Sequence, residues 1–332
     1  MTEQSEAKES GTKTKVYFGT DGIRGTANAF PLEPFFLVRL GRAIAERFKG
    51  EQGHRQRILI GKDTRLSGYM IETSIAAGIT AQGGTVMLVG PLPTAGVAYL
   101  TKSMRADAGV MISASHNSFD DNGIKLFGSD GYKLPDAVEL ELENLIDRFN
   151  GVAEGVASAE VGKAQRIDDA VGRYTVFLKS CFPRELTLEG MRIGVDCPNG
   201  AAYVVAPQTF AELGAEVVVR GASPNGRNIN AGFGSLYPEV MSELILEQNL
   251  DIGVSLDGDA DRAILVDEKG RVLDGDAVLA ICALDLKQRG MLPGDAVVST
   301  VMSNLGLSRF LSENKIALHR TAVGDRYVLE EM

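Results

Sequence analysis

Leu250-Asp251-Ile252-Gly253-Val254-Ser255-Leu256-Asp257-Gly258-Asp259-Ala260-Asp261-Arg262 is the stretch on which the fold turns. Its first half is a short apolar run ending at turn residues, the pattern of a buried strand. Its second half sets carboxylates at Asp257, Asp259 and Asp261. On an extended backbone alternate side chains point the same way. Three carboxylates so placed repel one another unless a cation lies among them. Oxygen donors favour a hard divalent ion, Mg²⁺ or Ca²⁺. The plainer alternative is an acidic, solvated turn. The buried-strand run leading straight into the triplet favours the ligand set.

The same unit recurs along the chain. Arg57-Ile58-Leu59-Ile60-Gly61 runs into Lys62-Asp63-Thr64-Arg65, and Gly109-Val110-Met111-Ile112-Ser113 runs into Ala114-Ser115-His116-Asn117. Met191-Arg192-Ile193-Gly194-Val195 runs into Asp196-Cys197-Pro198-Asn199-Gly200, and Ala296-Val297-Val298-Ser299-Thr300 starts another. Helical periodicity fills residues 34–49, 69–82, 136–149 and 167–182. The alternation predicts a multi-domain α/β protein. Each domain is a mixed, mainly parallel sheet layered with helices. Ligands meet such sheets at the carboxyl ends of the strands, so the active site is expected in a cleft between domains.

A length of 332 residues exceeds one ordinary domain and suits two or three. We expect a disordered tail over residues 1–15, a first domain over 16–166, a second over 167–273 and an incomplete third over 274–332. Residues 151–164 are small, polar and aperiodic, and read as a connection. With 44% hydrophobic and 23% charged residues, the bulk of the chain is neither disordered nor fibrous. Lys+Arg 34 against Asp+Glu 44 leave a net charge of −10, which argues against nucleic acid as a partner but permits a local basic pocket. Cys181, Cys197 and Cys282 are sparse and odd in number, which fits a reducing cytoplasm rather than a disulfide or zinc framework. No apolar run reaches the length of a membrane span, and the amino-terminal residues lack a leader's apolar segment.

Two further loops can carry chemistry. Ser115 beside His116 at a strand end, with Lys125 nearby, offers a nucleophile or a phosphorylation site whose oxygens would face a metal and an ammonium. In an extended chain neighbouring Ser and His side chains point apart, and the Gly-x-Ser-x-Gly elbow is missing. A polar turn with Asn117 and Asn122 as caps explains the same residues. In Phe18-Gly19-Thr20-Asp21-Gly22-Ile23-Arg24-Gly25 the glycine spacing is not the dinucleotide fingerprint. Backbone amides with Arg24 can bind phosphate there, and a simple tight turn accounts for the glycines equally well. Lys62 to Arg65 is a weaker case of the same kind, with Arg65 an ion-pair former sooner than a ligand. His54 and His319 are assigned to the surface or to structure.

The Asp257 loop also permits an EF-hand reading, weakened by Arg262 at the position that needs glycine. It resembles the haloacid dehalogenase phosphatases too, in which Asp257 would be the nucleophile. Together, however, residues 18–25, 61–68, 112–125, 255–262 and 323–328 resemble, in order, the motifs of the α-D-phosphohexomutase superfamily. The wording of the first, third and fourth of these, with Gly226-Arg227-Asn228-Ile229-Asn230, is most similar to its bacterial glucosamine-phosphate branch. The resemblance implies a phosphoserine at Ser115, and Mg²⁺ held by Asp257, Asp259, Asp261 and a phosphoserine oxygen. Arg24, His116 and Lys125 would be active-site residues, with Lys125 or His116 helping proton transfer, and Arg262 would balance phosphate charge. The implied reaction interconverts glucosamine 6-phosphate and glucosamine 1-phosphate through a sugar 1,6-bisphosphate, on the route to UDP-N-acetylglucosamine. Glucose or mannose phosphates are the alternative substrates. The resemblance further implies a cytoplasmic enzyme, sometimes a homodimer. Ser118 stands where the superfamily usually has proline. The superfamily's Gly-Glu-x-Ser-Gly-His sugar loop and its fourth, phosphate-binding domain are not in these 332 residues, so little or no turnover is expected of them.

Overall fold

The computed structural model describes residues 15–50, 54–151 and 155–332. Most of the tail expected over residues 1–15 lies outside the described residues. The first unit contains β1 (Ile23–Thr26), α1 (Pro34–Arg47), β2 (Arg57–Lys62), α2 (Ser67–Ala81), β3 (Thr85–Pro91), α3 (Thr94–Ser103), β4 (Ala108–Ile112), β5 (Asp121–Gly128), α4 (Asp136–Arg148) and β6 (Lys163–Arg166). Its strands follow the order β1-β5-β4-β2-β3-β6. The inner pairs β4–β2 and β2–β3 are parallel, while β5 is antiparallel to both β4 and β1.

Alternation along β2 builds a three-layer sandwich. Ile58 and Ile60 join one core with Phe36, Leu40 and Ile44 of α1. Leu59 faces the other way, into a core with Val97, Leu100 and Tyr174. Helix α1 starts where the sequence dictates: Glu33 accepts from the amides of Phe35 and Phe36 at 2.8 and 2.6 Å, and Pro34 occupies the first turn.

The second unit contains α5 (Ala170–Cys181), β7 (Arg192–Asp196), α6 (Val205–Glu212), β8 (Glu216–Arg220), α7 (Pro238–Gln248), β9 (Ile252–Leu256), β10 (Ala263–Asp267) and β11 (Val272–Leu273). The strand order is β11-β10-β9-β7-β8, parallel among β8, β7 and β9 and antiparallel beyond. Helix α5 begins three residues later than expected and joins the two units: Ala170 and Tyr174 share a core with Val97 of α3 and Val205 of α6. A third group comprises α8 (Gly275–Gln288), β12 (Ala296–Thr300), α9 (Leu305–Glu313), β13 (Ala317–Thr321) and α10 (Asp325–Glu331), with β12 and β13 parallel.

Two expectations need correction. The connection over residues 151–164 gives way to strand β6 at Lys163, an edge strand whose four residues are all exposed and so show no apolar alternation. The polar segment after Asn117 is a turn only as far as Asp120. Asn122 and Lys125 lie on β5; Asn122 still caps a backbone group, accepting from the Gly123 amide at 2.8 Å while its Nδ2 donates to Ser67 Oγ, and Lys125 finds interior carboxylates. No helix among the described residues is long and apolar enough to cross a membrane.

Candidate active site

Ser115 follows β4 and Asp257 follows β9, so each sits at the carboxyl end of a strand in a different sheet. The two sheet ends face each other. Ser115 Oγ donates a 2.5 Å hydrogen bond to Asp257 Oδ2, and both residues are buried.

The carboxylates are not splayed along an extended strand, as the sequence pattern suggested. They lie on the turn of the β9–β10 hairpin, where Ala260 takes φ +53° and its amide donates to Asp257 O at 3.0 Å. The turn does what alternation was expected to do: one oxygen from each of Asp257, Asp259 and Asp261 lies within 4.8 Å of the others. Asp259 Oδ1 is buried and has no hydrogen-bond partner. Burial, then the neighbouring Asp259, push the Asp257 carboxyl up to about 7. Clustered oxygen donors, one of them an orphan, fit a hard divalent cation.

Lys125 reaches the cluster from β5, with Nζ 3.1 Å from Asp259 and 2.9 Å from Asp261. Burial works against its charge, but the two carboxylates outweigh it and raise its pKa above the usual lysine range. They hold the ammonium charged. Lys125 also keeps Asp259 ionised: burial favours its neutral form, yet the ammonium carries the carboxyl below its ordinary value.

His116 corrects a second expectation. Ser115 is in the left-handed region at φ +52°, so the chain is not extended here, and His116 Nδ1 lies 3.4 Å from Ser115 Oγ. Burial lowers the His116 pKa, and the positive charges of Arg262 and Arg24 lower it further. Both arginines therefore act on the site. Arg24 lies on β1 and ion-pairs with Asp21, while its Nε is buried without a partner. The Arg262 amide donates to Asp257 Oδ1 at 3.1 Å. Gly22 makes the approach of β1 possible: its φ is +88°, and a Cβ there would stand 2.2 Å from Ile124 O.

Residues outside the expected reacting set hold this geometry. Arg65 is the ion-pair former expected of it, and a fully buried clamp. It ion-pairs with Asp63 and donates from Nη2 to the carbonyls of Ser115 at 3.2 Å and Asn117 at 2.6 Å. Asp63 also accepts from Ser113 Oγ at 2.6 Å, and that hydroxyl accepts from the Ser115 amide at 2.9 Å. Thr94, at the start of α3, donates its amide to Asp259 O at 2.9 Å and its hydroxyl to Asp259 Oδ2 at 2.6 Å. Asn230 reaches Ser115 from the other side. Arg65, Asp63, Ser113 and Asn230 lay in motifs the sequence had singled out; Thr94 follows Leu92-Pro93 with no chemical signature. His54 bonds the Asp107 carboxylate at 3.0 Å and His319 lies 3.6 Å from Glu331, both apart from the site.

A serine hydroxyl, a three-carboxylate loop and converging cations at the mouth of two α/β sandwiches define a phosphoryl-transfer class of protein. The chain belongs to the phosphoglucomutase/phosphomannomutase family: alpha/beta/alpha domain I of that family matches residues 15–150, domain II residues 173–270 and domain III residues 274–332. It is 57% identical over 318 residues to the phosphoglucosamine mutase of Pelobacter propionicus, covering 96% of this chain and 70% of that protein. The phosphoglucosamine mutase of Magnetococcus marinus is 53% identical over 332 residues, covering 100% of this chain and 68% of the relative. Among solved structures, a phosphoglucomutase/phosphomannomutase family protein from Burkholderia thailandensis superposes with a TM-score of 0.79 at 23% identity, over 95% of this chain and 68% of that one. The N-acetylphosphoglucosamine mutase of Aspergillus fumigatus, in complex with GlcNAc-6P and magnesium, shares the fold with a TM-score of 0.59 at 17% identity, over 96% and 64%.

Proposed function

We propose that this chain exchanges a phosphoryl group between Ser115 and the 1- and 6-hydroxyls of glucosamine, the reaction of a phosphoglucosamine mutase. The observation that carries the reading is the 2.5 Å contact between Ser115 Oγ and Asp257 across the two sheets. Residues 16–166 supply the serine, residues 167–273 supply the carboxylates, and residues 274–332 form a third unit of the same enzyme. The relatives' shared name favours glucosamine over glucose or mannose phosphates.

Asp257, Asp259 and Asp261 would hold Mg²⁺ with an oxygen of Ser115. The cation would supply charge neutralisation for the transferring phosphoryl group. The rest falls to the side chains. Ser115 Oγ attacks a phosphoryl of the sugar 1,6-bisphosphate. The O–P bond to serine forms as the sugar O–P bond breaks, and the departing sugar oxygen takes up a proton from solvent, leaving a sugar monophosphate. His116, kept neutral by burial and the two arginines, accepts the serine proton at Nδ1. Lys125 stays protonated and so balances charge rather than acting as a base. Arg24 and Arg262 bind phosphate oxygens at the mouth. The loaded serine passes its phosphoryl to the free hydroxyl of an incoming sugar monophosphate, the bisphosphate so formed turns round, and Ser115 takes back the phosphoryl from its other position.

The phosphatase alternative, with Asp257 as nucleophile, is disfavoured because its Oδ2 receives the Ser115 hydroxyl. Incubation with ³²P-labelled glucosamine 1,6-bisphosphate and Mg²⁺ separates the two. Label that persists in Asp257→Asn at a reduced rate and disappears in Ser115→Ala supports the mutase. Label in Ser115→Ala at the wild-type level would refute it.

A further inference from the structure

We infer that Asn230 is a positioning residue for phosphoryl transfer at Ser115: it fixes, from the carboxylate-bearing unit, the backbone conformation that aims the nucleophile. The inference rests on the phosphoserine reading above. Asn230 Nδ2 donates to Ser115 O and to Asn117 O, both at 2.9 Å. Arg65 donates to the same two carbonyls from the serine's own unit. The two donors grip one loop from opposite sides of the cleft. Ser115 needs such a grip, because a serine at φ +52° is uncommon and persists only where its surroundings hold it.

The Asn230 contact differs from the Arg65 contact in one respect. Arg65 and Ser115 belong to the same sandwich, whereas Asn230 is anchored in the second unit, its amide donating to Pro198 O at 2.9 Å. Its bond to Ser115 exists only when the two units are together. Gly258 lies in the same contact: a Cβ there would be 2.5 Å from Ser115 O and 2.8 Å from Asn230 Nδ2. The carboxylate loop, the asparagine and the serine carbonyl therefore share one packed point. Docking of the carboxylate unit and setting of the nucleophile become a single event.

Asn230 itself has φ +58°. Aspartate and glycine both tolerate that region, so neither adds backbone strain. Asn230→Asp replaces the donor with a carboxylate facing two carbonyl oxygens; Asn230→Gly removes the donor together with the rest of the side chain. The test is the single-turnover rate at which Ser115 is loaded by glucosamine 1,6-bisphosphate, with donor and Mg²⁺ each titrated and the melting temperature recorded. We expect loading at saturating donor to fall about tenfold or more in Asn230→Asp and less in Asn230→Gly. The half-saturating Mg²⁺ and the melting temperature should stay near wild type, and amide exchange over residues 113–118 should speed up in both variants. Wild-type loading rates in the variants would overturn the inference. So would slow loading that excess donor restores, or that merely follows lost folded protein. Absence of loading in the wild type would instead bring down the phosphoserine reading, and this inference with it.

Discussion

Ser115 and Asp257 are 142 positions apart in sequence, and their side chains meet because each caps a strand at the same mouth. Charge decides what these side chains can do. Removing one carboxylate from the cluster should cost at least as much as losing an outer-layer partner of a metal ligand, about 100-fold in Mg²⁺ affinity. Asp259→Asn, assayed by the Mg²⁺ dependence of Ser115 loading, checks this. The proton competes with the cation for Asp257, whose carboxyl sits at about 7 without metal. The half-saturating Mg²⁺ should therefore rise as pH falls through 7. His116 makes a separate prediction. Its pKa lies below the ordinary 6.5, so at saturating Mg²⁺ the acid limb of the loading rate should have its midpoint below pH 6.5. His116→Asn should remove that acid limb and lower the plateau by about 100-fold or more. A plateau unchanged in His116→Asn would move the proton acceptor elsewhere.

At the scale of elements, two turns decide whether the site assembles. Gly22 holds β1 against β5 and so delivers Arg24. Gly22→Ala forces a Cβ to 2.2 Å from Ile124 O at a left-handed φ, and should destabilise the first unit by about 2 kcal/mol or more in urea unfolding. The strands bearing apolar runs and the helices with a clear face were legible in the sequence, their ends within about two residues for the long helices of the first unit, because burial imposes a period. The clustering of Asp257, Asp259 and Asp261 was legible as chemistry but not as geometry: a hairpin turn, not an extended strand, brings them together. Strand β6 was hidden because its exposed residues carry no period. The roles of Arg65, Thr94 and Asn230 were hidden for a different reason. Each acts through bonds to backbone carbonyls or to a carboxylate far away in sequence, and such bonds leave no local pattern.

For the whole molecule, the seam between the two sandwiches matters more than either core. Asn230, Thr94 and the Ser115–Asp257 bond all cross it, and the hydroxyl of Thr64 also donates across it, to Asn199 O. The second sandwich carries a pH signature of its own. Asp196, at the end of β7, is fully buried, with Oδ1 unpartnered, and burial raises its pKa from 3.8 to about 6 despite the Gly234 amide at 2.6 Å. A raised native pKa contributes stability that is full below the unfolded value and is lost as pH rises through about 6. The shift amounts to about 3 kcal/mol. Unfolding of this unit, followed between pH 4 and 7, should show that decline, and Asp196→Asn should reduce it by about that amount, leaving the part that the raised Asp257 carboxyl contributes. Every step of the proposed reaction requires Ser115 to carry the phosphoryl group. Intact mass with phosphopeptide mapping, before and after incubation with glucosamine 1,6-bisphosphate and Mg²⁺, tests it most directly. The account predicts a single phosphate on Ser115 that glucosamine 6-phosphate discharges. A protein that takes up no phosphate, or takes it up on Asp257, would contradict it.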